Sequence, residues 1–189
     1  MIASEDSPDA EPCRICRSRT RLVGQVHGGY SGHTFELRQC RECRYSFIAN
    51  PWLDFARIYD DDYYAGNGAD PLVDYKFELA CPHRTVRHYE WTGITRFVEG
   101  LLGGLDGVRW LDFGCGAGGL VRFVRERTRA CAWGYEPGAI ATSVQAAGIP
   151  TVSEQQLAER PESFDVVTAI EVLEHAVDPL AELRRIRRV

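Results

Sequence analysis

Three groups of side chains in this 189-residue chain have the type and spacing to do chemistry. The first is a pair of CxxC turns, Cys13/Cys16 and Cys40/Cys43. Each turn aims two thiolates at one centre, and two turns brought together complete a tetrahedral four-sulfur shell suited to Zn²⁺. Four sulfurs leave no open position, so the expected metal is structural. The alternatives are two disulfides or four unrelated thiols. The opening MIASEDSPDAEP is acidic where an export signal is basic and then apolar, which favours the metal over the disulfides. An arginine follows each cysteine (Arg14, Arg17, Arg41, Arg44); together they either offset the negative charge of a Zn(Cys)4 centre or form a solvated face.

The second group is the loop Gly114-Cys115-Gly116-Ala117-Gly118-Gly119, with Asp112 just before it and Glu136 further on. The loop alone fits the dinucleotide pattern GxGxxG. Asp112 speaks against that reading, because a carboxylate beside the loop repels the pyrophosphate that a dinucleotide places there. A cationic ligand without phosphate, such as S-adenosylmethionine with its ammonium and sulfonium, is electrostatically welcome. The glycines permit close backbone approach, and Glu136 is a two-oxygen acceptor for a pair of ribose hydroxyls. Cys115 reads as a small loop residue. The third group is Glu171-Val172-Leu173-Glu174-His175. His175 has the pKa range of a general base, Glu171, Glu174 and His175 together have the chemistry of divalent-metal ligands, and a purely structural role stays open.

Elements must position these groups. Leu22 to Val26 and Phe35 to Gln39 read as short strands around the turn-rich HGGYSGH, carrying the CxxC turns as a ribbon. The acidic aromatic stretch FARIYDDDYYAGNGADP shows neither helical nor alternating period and reads as a connector, whose Tyr63 and Tyr64 either close over a ligand or pack locally. Residues 84–102 carry apolar side chains at helical spacing, stopped by GGLDG. VRWLDF, ACAWGYEP, IPTV and FDVVTAI then alternate with glycine loops and helical stretches, the rhythm of a parallel sheet. Asp178-Pro179 starts a last helix. The predicted organisation is a disordered N-terminus at 1–12, a zinc ribbon at 13–50, a connector at 51–83 and an α/β domain at 84–189.

LDFGCGAG, then GYEP, then FDVVTAIEVLEHAVDPLAELRRI resemble the successive motifs of class I S-adenosylmethionine-dependent methyltransferases over residues 108–189. The resemblance implies a Rossmann-like, doubly wound parallel sheet of which strands one to four of seven are present. On this pattern the chain is truncated, and a partner chain is one source of the missing strands. By position, Asp112, Gly114, Gly116 and Gly118 would hold the methionine part, Glu136 the ribose, and Ser153 and Glu154 the adenine. His175 would lie near the methyl acceptor. The ribbon followed by YDDDYY also resembles the N-terminal region of methyltransferases of glycan and natural-product pathways, which implies a sugar-like small-molecule acceptor.

The net charge of −5 disfavours a nucleic-acid backbone as main partner, although the arginines around the cysteines keep a zinc-ribbon RNA methyltransferase as an alternative. A non-catalytic remnant whose ribbon is a binding module is the third reading, and a dehydrogenase a minor fourth. No apolar run approaches the roughly 20 residues of a membrane span, and the expected location is the cytoplasm.

Overall fold

The computed structural model describes residues 11–68, 74–159 and 161–189. The disorder expected at 1–12 lies outside the described residues as far as residue 10, and so do residues 69–73 of the connector. The chain divides into two compact units: the chain up to Phe55 with Ala176–Leu183, and Ala56–His175 with Arg184–Val189. Among the described residues no helix is long and apolar enough to cross a membrane.

The first unit is built on an antiparallel sheet of β1 (Thr20–His27), β2 (Thr34–Cys40) and β3 (Ser46–Ile48), in that order. The hairpin turn closes where the Gly28 amide donates to the His33 carbonyl at 2.8 Å. β3 adds to the two strands legible in the sequence. Three residues carry too little alternation to announce a strand, and register does the work instead, with Leu37 opposite Ile48 and Arg38 opposite Phe47. Asn50 ends the sheet by bridging two β2 residues: its Oδ1 accepts from the Glu36 amide at 2.7 Å and its Nδ2 donates to the Thr34 carbonyl at 2.9 Å.

The connector is more regular than its sequence implies, with α1 (Phe55–Ile58), α2 (Asp61–Tyr64) and α3 (Tyr75–Ala80). Asp60 and Asp74 start the latter two, each carboxylate accepting the amide three residues on, Tyr63 at 2.9 Å and Phe77 at 2.8 Å. Helices of four and six residues are too short to show a period. The next helix, α4 (Arg87–Leu102), begins later than residue 84 because a 3₁₀ turn, Pro82–Arg84, intervenes and ends in the extended Thr85. It turns Thr95 and Val98 inward, and Gly103 stops it in the left-handed conformation.

The rest of the second unit alternates β4 (Arg109–Phe113), α5 (Gly119–Arg127), β5 (Cys131–Tyr135), α6 (Ala141–Ala146), α7 (Glu154–Glu159) and β6 (Val166–Thr168); α8 (Pro179–Arg188) follows. The strands are parallel in the order β5-β4-β6, so β4 is central. The third strand expected at IPTV shrinks to a single bridge, Gly134 to Thr151. Pro150 brings no amide hydrogen to a ladder, and Gly148 turns the chain just before it. β4 is covered on both faces, as parallel strands require. Trp110 packs with Val98, Leu105, Leu120, Val121 and Val124; Leu111 and Phe113 pack with Tyr135, Leu157 and Val189. Full burial of Leu111, Phe113 and Val124 contributes about 1.5–3 kcal/mol each. That core fixes the strand end at which Asp112 emerges.

Candidate functional site

In the first unit the four cysteines converge. The Sγ atoms of Cys13, Cys16, Cys40 and Cys43 all lie within 4.8 Å of one another, with Cys13 to Cys43 at 3.6 Å and Cys16 to Cys40 at 3.4 Å. These separations exceed the roughly 2.05 Å of a disulfide. They match a tetrahedral site, in which sulfurs about 2.3 Å from Zn²⁺ stand about 3.8 Å apart. The two turns are built alike: the Cys13 amide donates to the Ser18 carbonyl at 2.9 Å, and the Cys40 amide to the Tyr45 carbonyl at 2.8 Å. Arg17 and Arg44, one residue past each turn, both have positive φ (63° and 66°). Backbone amides aim at the sulfurs, Ile15 at Cys13 and Glu42 and Cys43 at Cys40. Side-chain and backbone hydrogen bonds from Ser18 draw Cys16 down to about 6. The Tyr45 amide also favours the Cys43 thiolate, but burial and the neighbouring sulfurs outweigh it and drive Cys43 up to about 12. Sulfurs this crowded need a cation before all four can be thiolates. Arg14 is not part of a solvated face: it donates to Glu11, Val177 and Ala49 and lies 4.7 Å from the Phe47 ring centre.

In the second unit the glycine loop wraps the carboxyl end of β4. The Gly114 and Cys115 amides both donate to the Tyr135 carbonyl, at 2.8 and 3.0 Å. Gly114, Gly116 and Gly118 have φ of 76°, 51° and 77°, the left-handed region that glycine enters without strain. At Gly116 a Cβ would meet open space, so backbone there is bare to an incoming ligand. Glu136 binds the loop: its Oε2 accepts from the Gly116 amide at 2.9 Å and its Oε1 from the Gly138 amide at 2.8 Å.

Asp112 is buried, 5% exposed. Its Oδ1 accepts from the Thr168 hydroxyl at 2.8 Å, and Thr168 Oγ1 in turn accepts from the Trp110 indole at 3.0 Å. Burial pushes the Asp112 carboxyl up to about 6; the Thr168 bond works against that shift and the charge of Glu136 adds to it. The same burial, with Asp112 and Glu136 nearby, raises the Cys115 thiol, which is therefore a neutral loop residue at pH 7. Thr168 escaped sequence reasoning. The signal was a lone hydroxyl closing the apolar run of β6, recognisable once β6 is known to lie beside β4.

A cleft of about 410 Å³ opens beside Glu136 and is lined also by Tyr135, Gln145, Val152, Ser153 and Glu154. Ser153 and Glu154 thus border the expected region, but their polar atoms are engaged. Ser153 and Gln156 form a reciprocal capping box at α7, with bonds of 2.8 and 3.2 Å. Glu154 accepts from the Tyr135 hydroxyl at 2.6 Å and pairs with Arg185, whose guanidinium lies 4.6 Å from the Tyr135 ring centre. Another hollow, about 470 Å³, lies between α4 and α5 near Arg96, Leu105, Phe123 and Arg127. It sits at the amino ends of β4 and β5, away from the carboxyl edge where such sheets bind ligands.

The Glu171–His175 segment leaves β6 at that carboxyl edge. Glu171 has a positive φ of 54° and accepts from Arg87 at 3.5 Å. His175 is exposed in a 3₁₀ turn, its ring edge-on to Tyr59 with centres 6.1 Å apart. Among the described residues the four cysteines are the one group of three or more ligand side chains close enough to hold a metal, so Glu171, Glu174 and His175 do not converge on one.

A family described as a methyltransferase domain matches residues 84–189. The chain is 40% identical over 83 residues to a ubiquinone biosynthesis O-methyltransferase of Rhizobium etli, covering 39% of this chain and 33% of that protein. It is 36% identical over 90 residues to the protein of the same name from Aliivibrio fischeri, covering 43% and 38%. The chain therefore spans about a third of the length of these curated relatives. Among solved structures, a magnesium protoporphyrin IX methyltransferase of Synechocystis with bound SAH is similar at a TM-score of 0.44 and 17% identity, covering 67% of this chain and 60% of that one.

Proposed function

Because the chain belongs over residues 84–189 to the methyltransferase-domain family, we propose that it binds S-adenosylmethionine at the glycine loop and passes the methyl group to a small-molecule acceptor. The observation that carries this reading is the buried Asp112, with Glu136 beside it, at the mouth of a loop of bare backbone. Two carboxylates there favour a cationic ligand and disfavour a pyrophosphate. Asp112 and the glycine amides and carbonyls hold the amino-acid part. Glu136 exchanges its bonds to Gly116 and Gly138 for ribose hydroxyls, and the cleft bounded by Val152, Ser153 and Glu154 takes the adenine.

When bound, the cofactor supplies a sulfonium-activated methyl group for in-line displacement. The protein contributes position and exclusion of water. His175, exposed at the carboxyl edge, is the group we assign to take the acceptor's proton. A sugar or glycan precursor is the acceptor we propose first, on the resemblance of the ribbon and YDDDYY. Methylation at an oxygen of a ubiquinone precursor is the second reading, favoured by the names of the relatives, ubiquinone biosynthesis O-methyltransferases. We assign structural Zn²⁺ to the four cysteines and place the protein in the cytoplasm, where thiols stay reduced. The outer edge of β6, unpaired among the described residues, is where a partner chain would add strands.

Calorimetric titration with S-adenosylhomocysteine tests the cofactor reading, with Asp112→Ala, Glu136→Ala and NAD as controls. Saturable binding lost in both variants is the expected result. No binding by a folded chain, or binding of NAD instead, overturns it.

A further inference from the structure

Residues Ala176–Leu183 follow directly on His175 in the chain, yet they belong to the compact unit of the ribbon. Arg14 fastens them there. Arg14 and Val177 stand 163 positions apart in the chain, and Nη1 of Arg14 donates to the Val177 carbonyl at 2.8 Å. The same guanidinium donates through Nη2 to the Ala49 carbonyl at 3.3 Å and through Nε to Glu11 at 3.0 Å, and lies 4.7 Å from the Phe47 ring centre. Its side chain is only 12% exposed. Three nitrogens and one ring face are engaged, so the fork is held in one orientation.

Arg14 lies inside the first metal-binding turn, between Cys13 and Cys16. The Cys13 amide on the Ser18 carbonyl and the Arg17 amide on the Cys13 carbonyl close that turn, both at 2.9 Å. The second turn bears on the same arginine through packing. Tyr45, whose carbonyl takes the Cys40 amide, stacks on Phe47 with ring centres 5.8 Å apart, and Phe47 carries Arg14. Asp178, next to Val177, is near enough for its charge to act on Tyr45. It also starts α8, accepting from the Ala181 amide at 3.0 Å. Both turns therefore bear on the two residues that precede α8.

A guanidinium placed only to offset the charge of the sulfurs has no need of main-chain carbonyls from two other segments. We propose that Zn²⁺ in the ribbon positions the segment that follows His175, with Arg14 as the positioning residue that carries the constraint. The inference rests on the zinc assignment above. Gathering four thiolates onto one cation sets the first turn, the turn sets the direction in which Arg14 leaves it, and Arg14 holds Val177, two residues beyond His175. The metal then orders the exit from the motif assigned to the acceptor as well as the ribbon itself. Its loss frees the chain between His175 and α8.

Hydrogen exchange on the full chain, read by mass spectrometry in peptides covering residues 176–183, tests this, with peptides of β4 as internal reference. Zinc-loaded wild type is compared with wild type stripped by a chelator and with zinc-loaded Arg14→Ala, the zinc content of each being measured by elemental analysis. Exchange at 176–183 is expected to be about tenfold slower in zinc-loaded wild type than in the other two, with β4 alike in all three and zinc retained by Arg14→Ala. Protection lost while zinc is kept is a change that an arginine serving only the ribbon would not produce. Equal exchange in zinc-loaded wild type and Arg14→Ala overturns the proposal, as does protection that survives removal of the metal. Should Arg14→Ala fail to hold zinc, Arg14→Gln keeps part of the stem over Phe47 while removing the charge and the fork, and the same comparison decides. If that variant also holds no zinc, Arg14 serves the metal site alone and the proposal falls. A wild-type chain that takes up no zinc removes the zinc assignment, and this inference with it; one that takes up zinc with residues 176–183 indifferent to it removes only this.

Discussion

Asp112→Asn separates the energetic burden of the site from its use. The carboxyl is fully enclosed and its folded pKa stands at about 6, against roughly 3.9 in an unfolded chain. Between those values the folded protein holds a proton that the unfolded chain has released, so stability falls as pH rises from about 4 to about 6. Two units at about 1.36 kcal/mol each make the ionised carboxylate a burden of roughly 3 kcal/mol above pH 7, absent below pH 4. Asparagine keeps an oxygen for the Thr168 hydroxyl but brings an amide N–H2 that needs a partner, a cost of about 1–3 kcal/mol that does not vary with pH. The pH-independent part cancels when the variant is compared with wild type at two pH values. Urea unfolding at pH 4 and pH 8 should therefore show the variant gaining about 3 kcal/mol relative to wild type between the two. A change below about 1 kcal/mol, or one of opposite sign, refutes the claim that Asp112 is a strained carboxylate awaiting a cation. Wild-type affinity for S-adenosylmethionine should also fall as pH drops through 6, while the variant's stays weak and flat.

Glu136→Gln leaves one oxygen to accept where Glu136 now serves both Gly116 and Gly138, and calorimetry should show S-adenosylhomocysteine binding weakened by about tenfold or more, the loss of a charge-assisted bond. Gly116→Ala places a Cβ at φ 51° in open space: thermal unfolding should report about 1–2 kcal/mol of lost stability, and ligand affinity should fall beyond that because the methyl occupies the approach to the backbone. Cys40→Ser, or a strong chelator, should take bound zinc from one equivalent to none by elemental analysis and lower the melting temperature, and the Co²⁺-loaded protein should lose its thiolate charge-transfer absorption.

The parts of the site that were legible in the sequence are those made by near neighbours in the chain. Asp112, the three glycines and Glu136 belong to one strand-loop-helix-strand unit, whose turn chemistry forces the loop back onto β5. The two CxxC turns were legible for the same reason. What the sequence concealed depends on contacts between distant segments. Thr168 means nothing until β6 pairs with β4, and Tyr59 is one aromatic among several until the fold sets its ring against His175. The third strand was overread because IPTV has the composition of a strand, while Pro150 denies it a ladder. β3 was missed for the converse reason, since pairing with β2 supplies what three residues cannot display.

The bonded series from the Trp110 indole through Thr168 to Asp112 also makes the protein its own optical probe. Trp110 is 1% exposed, so its emission escapes the broadening that bulk water imposes and answers to fixed charges nearby. Loss of a proton from Asp112, or arrival of a cation beside it, changes the field along the indole at a distance of two hydrogen bonds. The difference in fluorescence between wild type and Trp110→Phe thus isolates one emitter among the four tryptophans and follows the charge state of the buried acid without any added dye.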